Sequence, residues 1–320
     1  MKRAALVVFI VVAQACSAPL SASGVVYQKQ VACQTPVHVV YVDLNNSDVK
    51  VTVAISKAGR GSSEPAASIV YRTQPKAAIT GTFFDTRSLL PTGDIVIGGV
   101  RAHSGCVGPA LCISADNRAE IIPHKLRDRS RMTDYETVLA GGPSLVYNGR
   151  IALNPRAEGF KDPSLFRNTQ RTAVGITAEN KIIFVSVNKA VSMRRLAKIM
   201  LELGSDQAMM LDGGSSTSLY VDGRFVSKTK RKLTNLLLVY EKPGDYINAI
   251  GRLAPTLVTE KQIIARGDRS RREIEEYGYR PGNEFWSGIL DRPSKPVATQ
   301  FDLRIPGMRP PSTEWLSLIK

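Results

Sequence analysis

Three short segments combine acidic, glycine and hydroxyl residues in a way that could bind an anionic ligand and hold a reactive carboxylate beside it. They read GTFFD at 81–85, AGGPSL at 140–145 and LDGGSSTSL at 211–219. Consecutive glycines let a ligand approach main-chain N–H groups closely, and neighbouring Ser hydroxyls add donors without bulk. These features fit an anionic ligand. Any one segment taken alone is also explained by a tight turn.

Two carboxylates in these segments are the candidate catalytic groups. Asp212 precedes a Gly-Gly turn at a predicted strand end, and Asp85 closes the first segment. A carboxylate at a strand end can act as a base or nucleophile, so we predict Asp212 first and Asp85 second. Each also fits a simpler role, in which an Asp side chain accepts backbone N–H bonds in a turn. The two could instead share a divalent cation such as calcium, although no EF-hand-like run supports such a site.

Arg171 is the predicted phosphate ligand. It opens a predicted strand after a polar loop, and its planar guanidinium matches phosphate oxygens in a two-pronged contact. The alternative is an ordinary solvated arginine, since charged side chains usually face water. Ser215, Ser216 and the N–H groups of Gly213 and Gly214 would complete the anion site.

Strands with apolar, β-branched patterns must position these residues. Two such stretches, at 37–44 and 49–56, flank a polar segment at 45–48 and predict a hairpin. Asn148-Gly149 and Asp222-Gly223 each predict a tight hairpin turn, and residues 171–177 and 181–187 predict a further strand pair. Short apolar strands at 76–80 and 207–211 lead directly into the candidate segments.

Helices are fewer in this pattern. Ser192 can cap a helix whose apolar residues recur at helical spacing as far as Leu203, and Gly204 can end it. Residues 68–72 are a second helical candidate. The sequence therefore predicts a mixed α/β fold of the α+β type over residues 25–241, with a central, mostly antiparallel or mixed sheet and flanking helices.

The N-terminus predicts export. Lys2 and Arg3 precede an apolar run from Ala4 to Ala13, which is too short to span a bilayer and is followed by small residues, as in a secretory signal of residues 1–23. Lipidation at Cys16, with membrane attachment, is an alternative. The expected location is the periplasm, the extracellular space or the outer cell envelope.

The net charge indicates which partners the protein could bind, and the cysteines indicate a possible cross-link. The formal net charge of +15 favours anionic envelope polymers, and the absence of a nucleic-acid-binding motif argues against a specific nucleic-acid partner. Cys106 and Cys112 flank a Gly/Pro-bent loop and predict a disulfide. Residues 242–320 keep no long period apart from a possible helix near 271–277, and predict a basic, Pro-rich tail that is partly disordered or wraps the domain.

The ordered motifs GTFFD, AGGPSLVYNGR, RTAVGIT and LGSDQAMMLDGGSSTSL resemble the phosphodiester glycosidase domain family over about residues 76–241. That family includes the uncovering enzyme that removes N-acetylglucosamine from mannose 6-phosphate diesters, and its bacterial members are exported or surface proteins often described as exopolysaccharide-related. The resemblance adds the Arg-Thr strand start and the first two segments to the predicted substrate-binding set. Its further members are Thr172, Gly81, Thr82, Phe84, Gly141 and Gly142.

The resemblance implies an exported hydrolase that cleaves a sugar-1-phosphate diester in envelope or extracellular glycans. Two positions depart from the family pattern: Thr80 stands where an Asn usually precedes the first Gly, and Asn188-Lys189 stands where a strand commonly ends in Asp-Gly. These departures favour the alternative, a non-catalytic carbohydrate-binding or envelope-assembly protein on the same fold.

Overall fold

The computed structural model describes residues 23–255. The predicted signal segment, Cys16 and most of the predicted tail lie outside the described residues. In the described range, seventeen strands follow in chain order. They are β1 Val25–Ala32, β2 Thr35–Asp43, β3 Lys50–Ile55, β4 Ala77–Thr80, β5 Ile95–Ile97, β6 Val100–His103, β7 Ala110–Ile113, β8 Ala119–Ile122, β9 Thr137–Ala140, β10 Ser144–Tyr147, β11 Arg150–Ile151, β12 Thr169–Ile176, β13 Lys181–Val191, β14 Gln207–Leu211, β15 Leu219–Val221, β16 Arg224–Ser227 and β17 Asn235–Tyr240.

The strands form three sheets, and every strand pair in residues 23–255 is antiparallel. The largest sheet has the order β1-β2-β13-β12-β14-β10-β11. Two five-stranded sheets have the orders β16-β15-β4-β17-β3 and β6-β5-β9-β7-β8.

The pleat of the seven-stranded sheet divides its side chains between two cores. In β14, Met209 and Leu211 join a cluster that also contains residues of both five-stranded sheets. Ala208 and Met210 point to the opposite face and join a second cluster with the apolar side of a helix. Apolar side chains therefore cover both faces of the largest sheet, which makes its central strands almost continuously apolar.

Three α-helices occur in the described part of the chain: α1 Ala66–Thr73, α2 Met193–Glu202 and α3 Pro243–Leu253. The Ser192 hydroxyl caps α2 by accepting a hydrogen bond from the Arg195 N–H, as predicted. None of these helices is long and apolar enough to span a membrane.

The fold class is confirmed in part. The described residues are dominated by β-sheets, and of the predicted mostly antiparallel or mixed sheet the antiparallel form is the one found, in three sheets rather than one. The predicted flanking helices are few. Helix α3 begins within the segment predicted to be a tail, and its Ala249 and Leu253 are buried in the larger core cluster. The folded region therefore extends beyond residue 241.

One predicted hairpin is wrong. β2 and β3 do not pair with each other: β2 lies between β1 and β13, whereas β3 pairs with β17 in another sheet. The polar segment between them is a connection from one sheet to the next. The hairpins at Asn148-Gly149 and Asp222-Gly223 are confirmed, and all four turn residues have positive φ.

The predicted Cys106–Cys112 disulfide is absent, and both thiols are free. Cys112 lies on β7 with its side chain buried in a small apolar cluster, where its Sγ contacts the Ala110 carbonyl. Cys106 is exposed on the preceding loop. The strand fixes the Cys112 side chain in the interior, so the bend at Gly108-Pro109 does not bring the two thiols together.

Candidate active site

Two strand ends bring the first and third candidate segments together. β4 ends at Thr80 and β14 at Leu211, and the Asp212 N–H donates a hydrogen bond to the Gly81 carbonyl at 3.0 Å. The Thr80 hydroxyl donates to the Ser216 carbonyl, which fixes the turn that follows Asp212. Backbone contacts therefore hold GTFFD against DGGSS.

Thr172 supports the same point from the neighbouring strand. Its hydroxyl donates to the Asp212 carbonyl at 2.5 Å, and the side chain is fully buried. The Thr172 hydroxyl therefore positions the Asp212 backbone and is not available to a ligand.

The Asp212 side chain is a buried carboxylate with one oxygen left without a hydrogen-bond donor. The residue is 8% exposed, and its Oδ1 accepts the Gly213 N–H at 2.9 Å. Its Oδ2 is buried and has no hydrogen-bond partner among the described residues. Burial raises the pKa of Asp212 from about 3.8 to about 6, against the lowering effects of Ser216, Arg231 and the Gly213 N–H. A carboxyl group of this kind exchanges protons near neutral pH, as a catalytic acid or base must.

Arg231 faces the free side of this carboxylate. Its Nη2 lies 3.8 Å from Asp212 Oδ2, and its guanidinium carbon lies 4.1 Å from the centre of the Phe84 ring. The aromatic face orients the cation, while the distance to Asp212 is too long for a direct hydrogen bond. Phe84, a predicted substrate-binding residue, therefore lies in the site and contacts its cation.

The loop that carries Arg231 is tied to the DGGSS turn. The Lys230 N–H and the Thr229 hydroxyl each donate to the Ser215 carbonyl at 2.8 Å. The sequence prediction missed Arg231. The available signal was the basic run KTKRK at 228–232, directly before the last strand, although its link to Ser215 depends on the folded loop.

Three buried hydroxyl groups in the two segments that meet at Asp212 lack a close hydrogen-bond partner among residues 23–255. They belong to Thr82, Ser216 and Thr217, and of these the Ser216 hydroxyl interacts with the Asp212 carboxylate. Thr82 directly follows Gly81, whose carbonyl accepts the Asp212 N–H, and the Ser216 hydroxyl lowers the Asp212 pKa. Unpaired buried polar groups are costly to stability and are rare, so a cluster of them beside a carboxylate is typical of a ligand site.

Only some N–H groups of the DGGSS turn are available to a ligand. The Gly213 N–H donates to the Asp212 carboxylate, so it supports the carboxylate rather than an outside anion. Residues Gly214–Ser216 form a short 3-10 turn, whose first N–H groups have no acceptor within the turn. Gly214, partly exposed, and Ser215, exposed, therefore offer the donors that remain available to a ligand.

The glycines of the first two segments allow close packing. A Cβ atom on Gly142 would lie 1.4 Å from the Met210 carbonyl oxygen, and one on Gly81 would lie 1.8 Å from Asn235 Oδ1. Gly141 has a φ of +117°, and its added Cβ would lie 2.2 Å from the Thr82 hydroxyl. Gly81, Gly141 and Gly142 are buried, so they shape the wall behind the site.

Asn235 is a further supporting residue that the sequence did not indicate. Its Oδ1 accepts the Thr82 N–H at 2.8 Å, and its Nδ2 donates to the Thr234 hydroxyl. The residue is 2% exposed at the start of β17. It fixes the backbone of GTFFD where that segment leaves β4.

Asp85 lies outside this cluster in both contacts and exposure. Its Oδ1 accepts hydrogen bonds from the Ser88 N–H at 2.7 Å, the Ser88 hydroxyl at 2.8 Å and the Arg87 N–H at 3.1 Å. These bonds lower the pKa of the exposed carboxylate, with the Ser88 N–H contributing most. The geometry is that of a turn-forming Asp, which was the alternative to catalysis.

Arg171 is also directed away from Asp212. Alternation along β12 places the Thr172 side chain toward Asp212 and the Arg171 side chain on the opposite face, against Met210. The Arg171 guanidinium donates to the carbonyls of Leu165 and Arg167, and the residue is 2% exposed. Burial lowers its pKa to about 10, so it stays protonated at neutral pH. It is held as an internal donor to backbone carbonyls.

The described residues contain no group of three or more His, Cys, Asp or Glu side chains that could hold a metal ion. Calcium binding by Asp212 and Asp85 stays a prediction, and Asp85 Oδ1 already accepts three hydrogen bonds.

Comparison with known proteins gives the same fold. A crystal structure of a hypothetical protein from Synechocystis matches with a TM-score of 0.59 and 16% identity, covering 68% of this chain and 62% of that one. The chain thus spans less than two thirds of that protein. The catalytic domain of zebrafish N-acetylglucosamine-1-phosphodiester alpha-N-acetylglucosaminidase, auto-inhibited by its pro-peptide, matches with a TM-score of 0.55 and 19% identity, covering 68% and 82%.

No curated protein matches the chain significantly. The family model for phosphodiester glycosidase matches residues 73–240, more than half of the 320 residues. This range contains GTFFD, the Gly141-Gly142 turn, Asp212 and Arg231. The chain therefore belongs to the phosphodiester glycosidase family.

Proposed function

We propose that this protein is a hydrolase that cleaves the bond between a sugar and a phosphodiester in envelope or extracellular glycans. The observation that carries the proposal is the Asp212 carboxylate, which is buried, has a pKa raised to about 6 and leaves Oδ2 without a hydrogen-bond donor opposite Arg231. Family membership supports the reaction class.

In the proposed reaction, the bond between the anomeric carbon and the phosphate oxygen breaks, and the bonding electrons leave with the phosphate. Water supplies hydroxide to the sugar and a proton to solvent or to the phosphate, so the products are a free sugar and a phosphomonoester. Because a phosphate leaving group needs little protonation, the main demand is to stabilise the developing positive charge on the sugar. Ionised Asp212 meets this demand and can act as base or nucleophile.

Arg231 is the proposed phosphate ligand in place of Arg171. Its guanidinium is partly exposed, lies beside Asp212 and is oriented by the Phe84 ring, whereas Arg171 is buried with its donors directed at backbone carbonyls. A guanidinium binds phosphate oxygens through paired N–H groups. The N–H groups of Gly214 and Ser215, with the Ser216 hydroxyl, would supply further donors.

Export belongs to the same proposal. The predicted signal segment supports a location in the periplasm, the extracellular space or the outer envelope, with lipidation at Cys16 as the alternative. The net charge of +15 would favour contact with anionic polymers there.

The test is release of free sugar from a panel of sugar-1-phosphate diesters by purified residues 24–320, with and without calcium. Asp212→Asn is the inactive variant, and Asp85→Asn is the matched control, because it removes an exposed carboxylate that forms only a turn. We expect turnover by the parent and by Asp85→Asn, and loss of about a thousandfold or more in Asp212→Asn. Equal rates for all three proteins would exclude an essential role of Asp212.

A non-catalytic carbohydrate-binding protein is the second candidate, and Thr80 is the observation that favours it. In this structure the Thr80 hydroxyl is committed to the Ser216 carbonyl, so it cannot replace the amide that family members usually have at this position. Saturable binding of the diesters by the parent without sugar release would support this candidate.

A further inference from the structure

We infer that a basic groove next to the Asp212 site binds additional phosphates of a polymeric substrate, so that the preferred substrate is a phosphate-linked glycan chain rather than a small diester. This inference rests on the proposed function. The open groove has a volume of about 570 Å³ and is lined by Pro65–Ala67, Phe225 and residues 228–232. That volume is within the range of ligand-binding sites in proteins.

The groove and the candidate active site share one residue. Arg231 lines the groove and also lies 3.8 Å from Asp212 Oδ2. The neighbouring Lys230 N–H and Thr229 hydroxyl bind the Ser215 carbonyl, which fixes the loop to the turn beside Asp212. A chain whose scissile phosphate contacts Arg231 would therefore place its next units along residues 228–232.

The charge of the groove exceeds what a single phosphodiester needs. Lys228, Lys230 and Lys232 are exposed. None of them takes part in the ion pairs of the described residues. Glu64, next to the groove-lining Pro65, pairs with Arg72 at 2.5 Å. A single phosphodiester carries one negative charge, which Arg231 can neutralise. The three lysines therefore match further negative charges on the same ligand.

The kind of cation indicates how the polymer would be held. Lysine ammonium groups on long flexible stems bind phosphates as point charges and do not impose one fixed geometry. Such contacts suit repeated phosphates along a chain and give affinity that falls steeply with salt. They add binding without taking part in bond cleavage at Asp212.

The test compares three proteins of residues 24–320. They are the parent, the groove variant Lys228→Gln/Lys230→Gln/Lys232→Gln, and the control variant Lys29→Gln/Lys161→Gln/Lys198→Gln. The control removes the same charge from exposed lysines elsewhere. All proteins also carry Asp212→Asn, so binding is measured without turnover. The probes are a glycosyl-phosphate oligomer of several repeats, the corresponding single diester, and a single-stranded oligonucleotide with the same number of phosphates.

We expect the parent background to bind the oligomer about tenfold or more tightly than the single diester at low salt, and the groove variant to lose this preference and its salt dependence. The control variant should keep both. Equal oligomer affinity in the groove and control variants would overturn the inference, as would equal affinity for the oligonucleotide and the oligomer. The proposed function fails separately: if the parent without Asp212→Asn releases no sugar but shows the oligomer preference, the groove assignment stands and the hydrolase proposal does not.

Discussion

Asp212 Oδ2 and Arg231 Nη2 lie 3.8 Å apart, close enough for an ion pair but too far apart for a direct hydrogen bond. The guanidinium also lies over the Phe84 ring, 4.1 Å from its centre. The carboxylate is therefore buried and partly compensated, which leaves its pKa raised to about 6. Two consequences, for stability and for reactivity, can be measured independently.

Asp212→Asn should stabilise the protein at neutral pH and much less in mild acid. The folded-state pKa of Asp212 lies above its unfolded value, so the ionised carboxylate destabilises the fold progressively as pH rises from about 4 to about 6, and constantly above that. The neutral amide removes this term. We expect the stability gain of the variant to grow by about 2–3 kcal/mol across this interval. Denaturant unfolding of the parent and Asp212→Asn at several pH values measures it, and a difference that does not change with pH would refute the buried-carboxylate assignment.

Arg231 should set the acidic limb of the pH–rate profile. Because ionised Asp212 is the proposed active form, kcat/KM of the parent should rise as pH increases through about 6. Arg231 lowers the Asp212 pKa, so Arg231→Gln should move this limb to higher pH and reduce kcat/KM on its plateau by about a hundredfold.

Arg231→Lys is the matched control for that profile. It keeps a positive charge near Asp212 but loses the two-pronged phosphate contact, so its limb should stay near the parent position while its plateau falls. A limb at the same pH in Arg231→Gln and the parent would show that the two residues do not interact in the working enzyme.

Arg171→Met should lower stability without changing substrate affinity. The substitution removes charged donors from the buried carbonyl of Leu165 and the part-buried carbonyl of Arg167, at a cost of about 2 kcal/mol. The control is Arg167→Met, which removes a nearby exposed arginine side chain. Unfolding curves and KM for the best diester separate the roles. A raised KM with unchanged stability in Arg171→Met would restore the original prediction that Arg171 binds phosphate.

Local sequence signals predicted local structure well. Asn148-Gly149 and Asp222-Gly223 adopt the positive φ angles that tight hairpin turns require. Ser192 caps α2 by accepting a hydrogen bond from the N–H of Arg195, three residues along the chain. The failed hairpin between β2 and β3 has a different cause. Both strands are apolar and separated by a polar turn, but β2 pairs with the preceding β1 and the distant β13, whereas β3 pairs with the distant β17 in another sheet. The local sequence pattern does not indicate which distant strand a given strand will pair with.

The candidate site shows the same division. Asp212 was predicted because a short apolar strand, a carboxylate and two glycines follow one another directly. Arg231 was missed because its place depends on the hydrogen bonds from the 229–230 segment to Ser215. Arg171 was predicted to bind phosphate, but its side chain lies on the same face of β12 as that of Ala173, which packs with α2. Alternation along β12 is visible in sequence, but which face carries the site depends on the sheets packed against it.

Thiol labelling should distinguish free cysteines from the predicted disulfide. Cys106 is exposed, whereas burial raises the pKa of the Cys112 thiol far above its usual range, so a thiol reagent should modify Cys106 quickly and Cys112 only after unfolding. Peptide mapping by mass spectrometry locates the label. As a control, Cys106→Ser should leave the melting temperature unchanged, with or without reductant, because no cross-link is lost. A Cys106–Cys112 peptide under non-reducing conditions, together with a lower melting temperature for Cys106→Ser, would instead show that oxidation rearranges β7.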